Sequence, residues 1–366
     1  MKVLLAGGGT AGHINPALAI AGCVKANDPK SEFLFVGTKR GLEHTLVPKA
    51  GYDIEYVEVE GLSKKLTYKN FKSLCHMLTA KSKCKKIIKR FKPDIVIGTG
   101  GYVCAPAVMA ANSMGIPTLI HEQNVFPGSA IKLLSKKSTV TAISFEESRK
   151  YFSGAKNIIY TGNPIRPSIL SFDRKSAREN MGLKDERLIV IFGGSLGAAK
   201  INSVALSYIK TLEKENKTKI IFATGEKNYD DIKKQLSEDH ITIGDNISIL
   251  PYIHNMDEVL NAADLVVCRS GAITVSELSA LGIPAVLVPS PNVTNNHQEY
   301  NARALSDNGA AITILEKDFN LNSLKEAINT VLDNDNVHRQ MSEKSIKLSS
   351  INALDIIYSK MLELVN

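Results

Sequence analysis

One pattern, used twice, limits what this chain can fold into more than any other feature. Asp94-Ile-Val-Ile-Gly-Thr-Gly-Gly101, followed by Gly115-Ile-Pro117, is matched 170 residues later by Asp264-Leu-Val-Val-Cys-Arg-Ser-Gly271 and, at an offset of 167, by Gly282-Ile-Pro284. Leu4-Leu-Ala-Gly-Gly8 is matched in the same way by Val190-Ile-Phe-Gly-Gly194. Each is a short apolar run ending in glycine, as a buried strand requires where it turns into a helix. Such runs fall near 2–6, 32–36, 54–59, 94–98, 117–121, 139–144 and 157–161, then near 187–193, 218–224, 247–251, 264–268, 284–289 and 310–314, with helix-like segments between them. Strand–helix alternation predicts an α/β fold with two parallel, doubly wound, Rossmann-like sheets facing one another across a cleft. We expect domains at 1–164 and 165–344, with a hinge at Gly162-Asn-Pro-Ile-Arg-Pro167, where two prolines interrupt any helix. A last helical stretch, about 338–365, reaches back to the first domain, its returning helix at about 345–366. At about 150 residues per domain, 366 residues suffice for two self-sufficient cores.

Apolar residues at 44% and charged ones at 22% exclude a disordered or fibrous chain. The five cysteines, Cys23, Cys75, Cys84, Cys104 and Cys268, are odd in number and form no C-x-x-C pair, so neither a disulfide framework nor a zinc site is expected, and a reducing cytosol fits. The apolar start Lys2-Val-Leu-Leu-Ala6 is too short for a signal peptide, and no apolar run approaches the roughly 18 residues needed to span a bilayer. The formal charge of +8 is concentrated: Gly61 to Lys92 holds eleven basic residues and no Asp or Glu, leaving the remainder at −3. That segment suits an anionic partner, or it is a solvated helix face. Within it Phe71, Leu74, Cys75 and Leu78 form an apolar stripe beside Lys64, Lys65, Lys69 and Lys72, whereas Cys84, Ile87, Ile88 and Phe91 read as core.

Three glycine-rich turns follow expected strands: Gly7-Gly-Gly-Thr-Ala-Gly-His13, Gly98-Thr-Gly-Gly-Tyr102 and Gly193-Gly-Ser-Leu-Gly-Ala198. Glycine lets backbone N–H groups approach an anion, and the following helix aims its positive end there, so together they point to phosphate handling. None is a P-loop, and none is a clean G-x-G-x-x-G with a suitably placed acid, which disfavours ATPase and hydride-transfer chemistry. His13 sits where a helix dipole disfavours its cation, as a general base at neutral pH requires; the simpler reading is a helix-start hydrogen-bonding group. In the second half, Arg269-Ser-Gly-Ala-Ile-Thr-Val-Ser-Glu277 opens a helix, and the acceptor-only carboxylate of Glu277 suits ribose hydroxyls unless it simply lies on the surface. Asn295-Asn-His-Gln298 and Asn301 concentrate amides that can both donate to and accept from a sugar. The single D-x-D, Asp333-Asn-Asp335, reads as a turn, so no bound metal and no cofactor are expected.

Gly7-Gly-Gly-Thr-Ala-Gly-His-Ile-Asn-Pro-Ala-Leu-Ala19, Gly100-Gly-Tyr-Val103, His121-Glu-Gln-Asn124, Thr161-Gly-Asn-Pro-Ile-Arg166, Gly193-Gly-Ser-Leu-Gly-Ala198 and Cys268-Arg-Ser-Gly-Ala-Ile-Thr-Val-Ser-Glu277 occur in one order along one chain. The set closely resembles the MurG family of bacterial glycosyltransferases, over about residues 3 to 305. The resemblance implies a GT-B fold and inverting transfer of GlcNAc from UDP-GlcNAc to the C4 hydroxyl of MurNAc in lipid I, giving lipid II for peptidoglycan. It implies that Thr10, Ala11 and Gly12 line the nucleotide-sugar site, with His13 the base, and that Asn124 meets a GlcNAc hydroxyl. Arg166 and Ser195 would face the diphosphate, and Ile253 the uracil through its backbone. Ala272, Ile273 and Thr274 would border sugar and phosphate, Glu277 the ribose and Gln298 the GlcNAc. Ala11 stands where many relatives carry glycine. The partners implied are UDP-GlcNAc, lipid I and an anionic membrane surface on the cytoplasmic side, and no nucleic acid. The competing readings are another GT-B enzyme of UDP-sugars, such as a UDP-GlcNAc 2-epimerase, and a noncatalytic UDP-sugar-binding membrane scaffold.

Overall fold

The computed structural model describes residues 1–59, 68–194, 196–212, 218–239 and 244–365, the side chains of 68–75 excepted. The chain divides into two compact units, one of Met1–Ile165 with Ser350–Asn366 and the other of Arg166–Ser349.

The first unit is built on strands β1 (Lys2–Gly7), β2 (Glu32–Gly37), β3 (Ile54–Tyr56), β4 (Ile95–Gly100), β5 (Thr118–Glu122), β6 (Val140–Ile143) and β7 (Ile158–Tyr160). They lie in the order β3-β2-β1-β4-β5-β6-β7, and every pair is parallel. Alternate residues feed opposite faces, as a period of two dictates. Leu4, Ala6, Val96 and Ile120 pack with Cys84, Ile87, Ile88 and the helix Cys104–Asn112. Val3, Leu5, Ile97 and Leu119 pack with Ile14, Ala17, Ile20 and Val24 of helix Ala11–Asn27 and with Ile357 and Met361. Both faces are covered, which is why these strands are apolar throughout. Burying each large aliphatic side chain here contributes about 1.5–3 kcal/mol.

The second unit repeats the plan with β8 (Leu188–Phe192), β9 (Lys219–Ala223), β10 (Ile247–Leu250), β11 (Leu265–Cys268), β12 (Ala285–Leu287) and β13 (Ile312–Thr313), ordered β10-β9-β8-β11-β12-β13. In each sheet the order reverses beside the first strand, between β1 and β4 and between β8 and β11. Ligands of such sheets bind outside the carboxyl ends of the strands at that reversal, and the glycine turns lie at those ends.

Two expectations need refinement. The last helical stretch is two helices, Asp335–Leu348 and Ala353–Val365, not one. It breaks where the chain passes between units: Ser349 is extended, and the Ser350 hydroxyl donates to the Thr161 carbonyl at 2.6 Å. In the described part of the basic segment the chain forms a helix, Tyr68–Phe91. Cys84, Ile87 and Ile88 are core and Leu78 is exposed. Lys64 and Lys65, and the side chains of Lys69, Phe71, Lys72, Leu74 and Cys75, lie outside the described residues.

Candidate functional site

In the first unit, β1 ends in Gly7 and the chain turns through Gly8 and Gly9 into a helix whose N-cap is Thr10. Gly9 has a φ of +87°, which strongly favours glycine. The turn after β4 fits against it closely: a Cβ on Gly101 would lie 2.2 Å from the Gly8 carbonyl oxygen, and one on Gly100 would lie 2.6 Å from the His13 ring. Thr99 donates its hydroxyl to the His13 carbonyl at 2.7 Å. Pro16, inside the helix, lacks the N–H that would bond the Gly12 carbonyl. Thr10 and Gly12 are exposed, while Ala11 and His13 are half-buried.

The His13 Nδ1 lies 3.1 Å from the Gly8 carbonyl oxygen and 3.4 Å from the Thr10 hydroxyl. A carbonyl only accepts, so Nδ1 carries the proton and donates, and in the neutral ring Nε2 holds the lone pair. A general base needs that tautomer.

Glu43 belongs to no motif. Its carboxylate is 1% exposed. Oε2 accepts the Gly9 N–H at 2.8 Å, and Oε1 accepts the N–H and hydroxyl of Thr38 at 2.9 and 2.7 Å. Burial pushes its pKa up, but these three donors outweigh it and hold the carboxyl below its ordinary value. The Gly9 N–H, expected to face an anionic ligand, is therefore committed to the protein's own carboxylate.

Asn124 is positioned from below. Its N–H and side-chain amide donate to Glu122 Oε1 at 3.0 and 3.1 Å, and Glu122 Oε2 accepts from Gly128. Burial raises the Glu122 pKa. Next to it, Gln123 donates to the Thr99 carbonyl at 2.9 Å, linking the Asn124 loop to the turn behind His13.

In the second unit the turn after β8 locks against the turn after β9. A Cβ on Gly197 would lie 2.0 Å from the Thr224 carbonyl oxygen, and the Gly197 N–H donates to Gly194 at 2.9 Å. Ser195 lies outside the described residues. After β11, Gly271 caps helix Ala272–Leu281, which places Ala272, Ile273 and Thr274 in its first turn and Glu277 within it. Arg166 Nε donates to Glu277 Oε1 at 3.1 Å, and Arg166 Nη1 lies 3.0 Å from Asp257 Oδ1. Burial pushes the Glu277 pKa up, and Arg166 restrains that rise. Two residues singled out for different parts of a nucleotide thus form one ion pair, and Asp257, which the sequence did not reveal, completes it.

Gln298 is held by its carbonyl end, Oε1 accepting from the Ser290 N–H at 2.9 Å, while Ser270 donates to its backbone carbonyl at 2.8 Å. Asn301 donates to the Ser270 carbonyl at 3.2 Å. Ile253 is buried. Arg269 turns from its motif, donating to the Val288 and Pro289 carbonyls and pairing with Glu316, so it braces the scaffold.

The chain matches two family models in tandem: the glycosyltransferase family 28 N-terminal domain over residues 3–143 and its C-terminal domain over 188–355. It is 49% identical, over 98% of its length and 96% of the relative's, to the UDP-N-acetylglucosamine--N-acetylmuramyl-(pentapeptide) pyrophosphoryl-undecaprenol N-acetylglucosamine transferase of Acetivibrio thermocellus. Among solved structures, Acinetobacter baumannii MurG superposes with a TM-score of 0.80 at 28% identity, covering 99% of both chains. The UDP-GlcNAc 2-epimerase of Neisseria meningitidis, bound to UDP-GlcNAc, reaches 0.70 at 14% identity, covering 99% of this chain and all of that one, a likeness of fold alone.

Proposed function

Because this chain belongs to glycosyltransferase family 28, we infer that it moves GlcNAc from UDP-GlcNAc to the C4 hydroxyl of MurNAc in lipid I, with inversion, giving lipid II for peptidoglycan synthesis. The observation that carries this is near-full-length identity of 49% to a transferase of that name, against 14% to the epimerase.

The site residues follow as a division of labour. The second unit takes the nucleotide: uracil at the Ile253 backbone, ribose at Glu277, diphosphate at Arg166 and Ser195, sugar and phosphate at the helix start Ala272, Ile273 and Thr274, and GlcNAc at Gln298. Support comes from the half-exposed Arg166 guanidinium, positioned by two carboxylates, and from a helix N-terminus that favours phosphate. The first unit supplies Thr10, Ala11 and Gly12 to line the nucleotide-sugar site, Asn124 for a GlcNAc hydroxyl and His13 as base. His13 Nε2 takes the proton of the C4 hydroxyl as its oxygen bonds to C1 of GlcNAc and the bond from C1 to the phosphate oxygen breaks, releasing UDP. Arg166 and the helix dipole stabilise the charge gathering on that oxygen, so no protein-bound metal and no cofactor are required.

No helix among the described residues is long and apolar enough to cross a membrane. The acceptor's polyprenyl tail stays in the bilayer, so the protein works as a peripheral protein on the cytoplasmic face of the cell membrane. Its first unit docks there through the basic segment 61–92, with no nucleic acid involved.

The test is UDP release from UDP-GlcNAc with purified lipid I. Release that requires lipid I and persists in EDTA is expected. Release without lipid I would point to a different UDP-sugar reaction, and turnover abolished by EDTA and restored by Mg²⁺ would overturn the metal-free electrostatics.

A further inference from the structure

One peptide group joins Glu43 and His13. The Gly9 N–H donates to Glu43 Oε2 at 2.8 Å, and the carbonyl of that same peptide unit, which belongs to Gly8, accepts from His13 Nδ1 at 3.1 Å. We propose that Glu43 is a positioning residue for the transfer reaction, acting on the His13 base through the Gly8–Gly9 peptide.

Hydrogen bonds in series polarise one another. A carboxylate drawing on the N–H end of a peptide makes its carbonyl oxygen a stronger acceptor. That oxygen then holds the Nδ1 proton more firmly, fixes the tautomer with the lone pair on Nε2, and favours the imidazolium formed when Nε2 takes the acceptor proton. A carboxylate bonded directly to Nδ1 does the same in hydrolytic triads; here a peptide stands between the two. The packing is built for a charge at this place. Gly8, Gly37 and Gly41 all crowd the Glu43 carboxyl or its stem, where a Cβ would come within 2.0–2.7 Å. The donors Gly9 N–H, Thr38 N–H and Thr38 hydroxyl satisfy both oxygens. His13 is also approached by the Thr10 hydroxyl on its own turn and by the Gly100 backbone at the end of β4, while the Thr99 hydroxyl donates to its main-chain carbonyl. Glu43 is the carboxylate on this line of contacts.

The inference rests on His13 being the base, so the test must separate the two. Histidine-labelled full-length protein is followed by ¹⁵N NMR through a pH titration, with the His13 signal identified by its loss in His13→Ala. In the wild type, Nδ1 is protonated and Nε2 bare in the neutral ring. In Glu43→Gln, whose neutral amide cannot accept all three donors, the His13 pKa drops and the tautomer becomes mixed. Turnover read alongside falls about tenfold, KM for UDP-GlcNAc stays within about twofold, and the acid limb of kcat moves to lower pH. Glu43→Asp, which keeps the charge, recovers part of each shift. A wild-type ring protonated on Nε2 overturns the proposal even if no Glu43 variant folds. A folded Glu43→Gln with unmoved His13 pKa and tautomer overturns it as well. His13→Ala with near-normal turnover instead removes His13 as base, which is the failure of the earlier reading.

Discussion

The glycine turns after β1 and after β8 occupy the same topological position in two sheets of the same plan, yet they are finished differently. After β1 the turn closes on a buried carboxylate: Gly9 donates to Glu43, and the histidine of the following helix leans on Gly8. After β8 the turn closes on backbone, Gly197 against Thr224, and Arg166, a half-exposed cation of this unit, pairs with Glu277 of the helix after β11 and with Asp257. A turn that already holds a carboxylate is a poor place for a diphosphate and a good place to orient a base. A half-exposed guanidinium such as that of Arg166, held by Glu277 and Asp257, has the opposite character. Duplication of a fold therefore does not duplicate its chemistry: one buried residue changes what an otherwise equivalent turn can bind.

The largest effect expected from breaking this contrast is on turnover. His13→Ala should reduce kcat by about 10²–10⁴-fold and leave UDP-GlcNAc affinity nearly unchanged, measured by UDP release and calorimetry. A parallel loss of donor binding would make the two units alike in role. On the other side, Glu277→Ala should weaken UDP binding by about 1–3 kcal/mol, roughly 5- to 150-fold, because a buried ribose hydroxyl loses its acceptor and Arg166 loses a partner. Unchanged affinity by calorimetry would remove Glu277 from the donor site.

A pH difference between the units is smaller and sharper. His121 in β5 is fully buried, donating from Nε2 to the Gly162 carbonyl at 3.0 Å, and burial pushes its pKa down from 6.5 to about 4. Between those values the unfolded chain binds the proton and the folded one does not. The stability is therefore complete above about pH 6.5 and is lost as pH falls toward 4. Amide exchange in β5 and β6 should accelerate before that in β8 and β11 as pH is lowered from 7 to 4.5, and His121→Gln should narrow that gap. Simultaneous loosening of both sheets would contradict it.

The mildest effect concerns the membrane. Vesicle co-sedimentation should rise with anionic lipid, fall with salt, and drop when Lys64, Lys65, Lys69 and Lys72 become Glu, each charge near the surface contributing about 1 kcal/mol. Reversing the exposed Lys227, Lys233 and Lys234 of the second unit should leave it unchanged. Equal effects from both sets would mean that docking is diffuse.

The fold was legible because strand and turn chemistry are local: apolar runs such as Val3–Ala6 and Leu265–Cys268 announce buried parallel strands, and glycines mark where they end. For the candidate site, the motifs single out His13, Glu277 and Gln298 by residue type and place. What stayed hidden is what long-range packing makes. Nothing in the sequence ties Glu43 to Gly9, 34 residues away, or Arg166 to Glu277, 111 residues away. Asp257 and Glu122 are similarly silent, since a lone carboxylate says nothing about which donors will surround it. In the first turn, glycine spacing marks N–H groups that can meet a ligand but does not show that a buried carboxylate takes the one on Gly9.

A crystal structure with UDP-GlcNAc bound tests the division of labour most directly. The division of labour predicts the ribose hydroxyls on Glu277, the uracil at the Ile253 backbone and Arg166 turned toward the diphosphate, with the Gly9 N–H still on Glu43. A nucleotide diphosphate seated on the Gly7–Thr10 turn, with Glu43 displaced from Gly9, would contradict it.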